Sequence, residues 1–260
     1  TAIGMALVAP ILMLAFNWRS ELFRGAAFTA VPLLWMLPVA TIAGRELLAG
    51  PAEANRKGQG ICVGRPLAVN RIRIIRITDQ PIERLEDSRE VEPGAIGEIC
   101  VAGPTVTDRY WQRELQTRLA KMTADDGTVW HRMGDLGRLD DEGRLWYCGR
   151  KSERVITPAG TLFTECVEGV INGVRGVYRS ALVGIGPDRS VPLVIVEPEP
   201  GAAPAAVKTL VRERLAAEDA TPGIRHVVIR NQLPVDIRHN AKIRRGRLAD
   251  EMQRKYGRKL

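Results

Sequence analysis

Hydrophobic and polar positions change character several times along the chain. Residues 2–16 and 31–43 are almost wholly apolar, separated by a short polar break. Neither run reaches the roughly 20 residues of a membrane-spanning helix, and the first carries Pro10. From Gly58 the texture turns to short apolar runs with arginines between them. Ile72, Ile74 and Ile75 predict a β-strand with one wet face, and 96–102 a second. A charged loop over 79–92 ends in the turn signal Pro93-Gly94. Trp111, Leu115 and Leu119 share one side of a helical pattern over 108–122, which predicts a short surface helix. Residues 136–148 predict a hairpin around Asp140-Asp141-Glu142-Gly143, whose glycine supplies the positive φ of the turn.

After Gly149 the run 151–158 reads as a connector. Beyond it, helix (162–172), strand (180–186), strand (191–197), a Pro/Gly/Ala-rich loop, helix (204–218) and strand (226–230) predict a small α+β domain with no internal repeat. The basic tail, 238–259, is expected to be helical beyond Gly246. The fold class expected is α/β, more closely α+β: a β-rich region followed by a small α+β C-terminal domain.

A chain of 260 residues, 45% of them hydrophobic, can bury real cores. Its formal charge of +8 suits an anionic partner such as a nucleotide, coenzyme A, nucleic acid or an acidic lipid surface, without choosing among them. Aromatic content is only 5%, and the basic tail lacks the interleaved aromatics on which bases stack, so nucleic acid is not the expected partner. A stand-alone basic binding module is the alternative reading. Cys62, Cys100, Cys148 and Cys166 lie far apart without metal-ligand spacing and are expected to be reduced thiols of a cytoplasmic protein.

Four segments carry candidate chemistry in order: GEICVAGPTVTDRYW, HRMGDLG, GRKSERVIT and NAKIRR. They set Asp135, Arg150 and Lys242 in three separate places, a carboxylate and two cations able to hold a ribose and a phosphate if the fold gathers them. Order and spacing resemble the C-terminal motifs of the adenylate-forming (AMP-binding) acyl-activating enzymes: acyl-CoA synthetases, luciferases and peptide-synthetase adenylation domains. The resemblance covers roughly residues 37 to 250. LPVATIAGRELL, GICVGRPL and CGRKSERVIT look most like fatty-acyl ligases, including the β-lactone synthetases of bacterial olefin biosynthesis.

The resemblance implies roles. Asp135 would accept hydrogen bonds from the ribose hydroxyls of ATP; its structural alternative is a solvated turn aspartate before the hairpin. Arg150 would contact ribose and phosphate through its planar fork, or else be a surface arginine at a domain hinge. Lys242 would bridge the acyl carboxylate and the α-phosphate, or be one more cation in a basic tail. Ser152 falls at the family's hinge position, where other members often carry Asp or Lys. Glu165 and Glu168 stand near a family pair of glutamates, offset by one, with Cys166 expected to be a packed helix thiol.

On the same footing residues 1–149 would be the truncated end of the large N-terminal domain, 150–152 the hinge and 153–260 the mobile lid. ATP and Mg2+ would serve the reaction, with coenzyme A a possible acceptor and a fatty or 3-hydroxy fatty acid as substrate. The sequence departs from the family upstream. Val31-Pro32-Leu33-Leu34-Trp35 stands where the family has an aromatic-Gly-x-Thr-Glu motif serving ATP and magnesium, and no Ser/Thr/Gly-rich phosphate loop precedes it. No metal ligand is therefore assigned. The chain is expected to be a fragment, inactive alone, whose residues 1–36 have three open readings: sequence of a truncated domain, a membrane-associated segment, or an altered frame.

Overall fold

A computed structural model describes residues 38–236 and 239–257. The apolar stretch 2–16 and the segment 31–35 lie outside the described residues. The chain divides into two compact units, one holding the residues up to Ala49 and Cys62–Trp146, the other Gly50–Ile61 and Tyr147–Leu260.

Most of a seven-stranded sheet lies in the first unit, built from β1 (Ala40–Thr41), β2 (Ile61–Pro66), β3 (Arg71–Ile75), β4 (Gly97–Ala102), β5 (Lys121–Thr123), β6 (Val129–Leu139) and β7 (Leu145–Arg150), with Ile61 and the β7 residues from Tyr147 counted in the second. Its order is β1-β2-β7-β6-β4-β3, with β5 paired to β6. β4 is buried along its whole length, so its alternate residues feed two cores. Cys100 and Ala102 join Ile75, Leu85, Met122 and Trp130 on one side, and Ile99 and Val101 join Ala40, Ile74 and Leu145 on the other. The expected hairpin is β6–β7. A Cβ at Gly137 would come within 2.2 Å of the Trp146 carbonyl oxygen, so that crossing admits only glycine. The turn is fixed by Asp140, whose carboxylate accepts from the Arg144 and Glu142 amides, the Arg144 guanidinium and the Trp146 indole N–H.

Two short helices, α1 (Gly44–Leu48) and α2 (Pro51–Arg56), precede β2. The surface helix expected over 108–122 is shorter: α3 runs Glu114–Ala120, and Lys121–Thr123 is strand. Trp111 lies before the helix and is 83% exposed. Gln112 takes φ 51°, which ends any helical path there. Thr117 Oγ1 then accepts the Tyr110 N–H and donates to the Arg113 carbonyl, folding the segment back on the helix.

The second unit holds β8 (Val155–Thr157), β9 (Gly160–Leu162), α4 (Thr164–Asn172), β10 (Val177–Ile185), β11 (Val191–Pro198), α5 (Pro204–Ala217), β12 (His226–Ile229), β13 (Val235–Asp236), β14 (His239–Ile243) and α6 (Arg245–Tyr256). β10 and β11 are antiparallel and β11 and β12 parallel, joined by the α5 crossover. Period-two alternation splits the sheet's faces. Leu182, Val194 and Val196 pack on Val167 and Ile171 of α4 and on Val207, Val211 and Leu215 of α5. Val183, Leu193 and Ile195 pack on Leu248 and Met252 of α6. α2 belongs to this unit and packs against α4, where a Cβ on Gly169 would fall 2.5 Å from the Asn55 carbonyl oxygen. All four cysteines are buried free thiols.

Candidate functional site

Asp135 sits inside β6, not in a solvated turn, and is 3% exposed. Gly134 before it takes φ 67°, a left-handed residue that turns the strand locally without any crowding of its missing Cβ. Three positions earlier on this strand, Arg132 is buried against Glu98 of β4, with both side chains 1% exposed. Its Nη2 donates to Glu98 Oε2 at 2.7 Å and to the Thr78 carbonyl at 2.7 Å, Nε to Glu98 Oε2 at 3.2 Å, and Nη1 to the Gln80 carbonyl at 2.8 Å. That fork anchors the strand carrying Asp135 to β4 and to the charged loop.

The same unit gathers Tyr110, Lys121 and His131. Burial pulls the Lys121 ammonium down to about 8, and burial with the Lys121 charge holds His131 down to about 4, against the bond from its ring to the Ala120 carbonyl. The hydrophobic pattern carried no signal for this group. A cavity of about 410 Å³ lined by Arg71, Gly103, Asp108 and Thr128 contains none of the predicted site residues.

The second unit carries Arg150, Ser152 and Lys242. Arg150 is half-buried at the end of β7, and Ser152 is exposed in a 3-10 turn, Lys151–Glu153. Lys242 is exposed on β14, which pairs with β13 through Ile243 and Val235. Buried Ile243 and the bond from the Arg244 amide to the Pro234 carbonyl, 2.8 Å, hold the strand just after the lysine. The charges of Arg150 and Lys242 both act on Glu153, the residue after Ser152. Its carboxyl is pushed up by burial and by the Glu168 charge, against the pull of Arg245 and, more weakly, of Arg150 and Lys242. Arg150, Ser152 and Lys242 thus belong to one unit, while Asp135 belongs to the other.

One group the motifs did not assign stands beneath this turn. Arg245, the first residue of α6, meets Glu168 Oε2 at 2.5 Å and Oε1 at 3.0 Å, Glu153 at 3.3 Å and Glu165 at 3.4 Å. Glu168 Oε1 also accepts the Leu182 amide, tying α4 to β10. Burial and the neighbouring Glu168 push Glu165 up to about 7. The only sequence signal was position: Glu165 and Glu168 near the family's glutamate pair, and Arg245 three residues after Lys242. Among the described residues no group of His, Cys, Asp and Glu gathers to hold a metal ion.

No family model matches the chain. Among solved structures it superposes on ATP-bound MatB from Rhodopseudomonas palustris with a TM-score of 0.61 and 25% identity, over 75% of this chain and 36% of that one. With the ordered motifs and the relatives below, this places the chain in the adenylate-forming, acyl-activating enzyme family. More particularly, it is 47% identical over 219 residues to the olefin β-lactone synthetase of Stenotrophomonas maltophilia, and 48% identical over 221 residues to that of Xanthomonas campestris. Each match covers 82% of this chain and 40% of the relative, so the chain spans about two fifths of the length of these relatives.

Proposed function

We propose that this chain is the C-terminal portion of an ATP-dependent ligase that adenylates a 3-hydroxy fatty carboxylate and closes it to a β-lactone. The observation that carries the reading is the 47% identity to an olefin β-lactone synthetase over 82% of the chain. That Lys242 and Arg150 fall in one unit, where both charges act on Glu153, supports it. In this reading the substrate carboxylate attacks the α-phosphate of ATP, pyrophosphate leaves, and the 3-hydroxyl oxygen then attacks the acyl carbonyl. The hydroxyl proton is lost, the four-membered ring forms and AMP departs. Lys242 offsets charge as the carboxylate attacks, Arg150 and Asp135 hold ribose and phosphate, and rotation at 150–152 moves residues 153–260 between the two steps. ATP is the co-substrate, with Mg2+ on its phosphates; coenzyme A would be the acceptor only for a thioester product.

Product mass spectrometry on the full-length gene product tests this. A 3-hydroxy fatty acid and ATP are expected to give the acid less one water, with or without coenzyme A. A thioester formed only with coenzyme A would overturn the lactone step while leaving adenylation standing. Lys242→Ala is expected to lower ATP–pyrophosphate exchange by about 10²-fold or more. Because residues 31–35 lack the family's Thr and Glu, the 260-residue chain alone is expected to show no exchange, and measurable exchange would contradict that part.

A further inference from the structure

Lys242 is exposed on a short strand, and an exposed lysine has many rotamers. A transition-state contact needs its backbone fixed to a fraction of an ångström. What fixes it is not the hairpin alone, since among the described residues β13 contributes Val235 and Asp236, and the pairing shifts register between them. Three residues beyond Lys242 the chain is held by a charged fork. Arg245 engages Glu168 through two nitrogens on both oxygens, a bidentate grip on α4. Its third nitrogen, Nη1, reaches Glu153 at 3.3 Å, the residue directly after Ser152.

We propose that Arg245 is a positioning residue that couples the turn Lys151–Glu153 to the strand bearing Lys242, with Glu153 as the link between them. The inference rests on the role given above to Lys242. Glu168 and Glu153 do different jobs on the same guanidinium. Glu168 is buried, takes both the fork and the Leu182 amide, and anchors Arg245 to the core. Glu153 keeps 28% of its side chain exposed, makes a single contact, and sits on the turn where rotation is expected. It also lies in the field of both Arg150 and Lys242. Any movement of the 3-10 turn therefore pulls on the same side chain that ends the Lys242 segment.

The arrangement separates activity from stability. Arg245 faces three carboxylates, Glu153, Glu165 and Glu168, so neutralising Glu153 removes like-charge repulsion and leaves the Glu168 anchor in place. In the full-length protein Glu153→Gln is expected to lower kcat of ATP–pyrophosphate exchange about tenfold with KM for ATP unchanged, because the loss is felt only in the transition state. The melting temperature is expected to stay level or rise. Arg245→Lys, which keeps the charge and loses the fork, is expected to give the same kcat loss. In the 260-residue chain, amide hydrogen exchange at Lys242–Arg244 is expected to quicken in Glu153→Gln while exchange in β10 and β11 is unchanged.

An unchanged kcat in Glu153→Gln, or a loss matched by a lower melting temperature, would overturn the proposal. Lys242→Ala separates the two levels. If it leaves exchange intact, the adenylation reading itself fails. If it abolishes exchange while Glu153→Gln does nothing, the coupling alone fails.

Discussion

Arg132 and Arg245 are both buried arginines, yet they are solved in opposite ways. Arg132 meets one carboxylate, Glu98, and spends its remaining donors on the carbonyls of Thr78 and Gln80. Charge is balanced and every arm is used. Arg245 meets three carboxylates, two more than its own charge can neutralise. The balanced node locks β6 to β4 and to the loop before it, which suits a strand whose next task is to hold Asp135 still. The surplus node keeps a proton on Glu165 near neutral pH and joins a turn, a helix and the Lys242 segment. A balanced pair makes a fixed wall. A surplus makes a joint that responds to charge.

Breaking the balanced node has the largest expected effect. Arg132→Met removes the guanidinium that the buried Glu98 carboxylate faces, with an expected loss of about 3–5 kcal/mol. Urea denaturation followed by tryptophan fluorescence measures it, because the described tryptophans, Trp111, Trp130 and Trp146, all belong to the first unit. A loss under 1 kcal/mol, as for an exposed pair, would mean the Glu98 carboxylate finds water or another partner.

Removing one carboxylate from each node sharpens the contrast. Glu98→Gln takes the counter-charge from a fully buried guanidinium and is expected to cost about 2–3 kcal/mol, the two carbonyls retaining part of the binding. Glu165→Gln at pH 8 removes like charge from a surplus and is expected to be neutral or stabilising by about 0.5–1 kcal/mol. Opposite signs in chemical denaturation are the expected result. If both substitutions destabilise alike, the two nodes are not different in kind.

Most elements were legible because their residues alternate or repeat locally. Ile72, Ile74 and Ile75 mark β3, the apolar runs over 181–185 and 193–196 mark β10 and β11, and Val207, Val211 and Leu215 at fourfold spacing mark the buried face of α5. The 108–122 segment has the right apolar spacing for a helix, but Gln112 takes a positive φ and Trp111 is exposed. The entry of Gly50–Ile61 into the second unit was not legible either, since α2 is a six-residue helix whose docking depends on the distant Gly169. Asp135, Arg150, Ser152 and Lys242 were readable as motif positions. The Arg245 partners were not, for they lie 77, 80 and 92 residues away in sequence and only the packing of α4, α6 and the 3-10 turn joins them.

The smallest effect is a pH dependence of opposite sign in the two units. Glu165, raised to about 7, keeps a proton in the folded chain that the unfolded chain releases above about 4.5. Its stabilisation is full below that value and is lost as pH rises through 7. His131, held at about 4, stays neutral when folded but protonates below about 6.5 when unfolded, so stability is lost as pH falls from there toward 4. From pH 5 to 7 the second unit is thus expected to weaken and the first to strengthen. With Glu165 20% exposed, solvent screening reduces its share to about 1 kcal/mol. Unit-resolved hydrogen exchange between those pH values reads the two slopes, and Glu165→Gln and His131→Gln are each expected to flatten only their own. Parallel slopes would show that the surplus charge around Arg245 is neutralised by solvent rather than by the proton on Glu165.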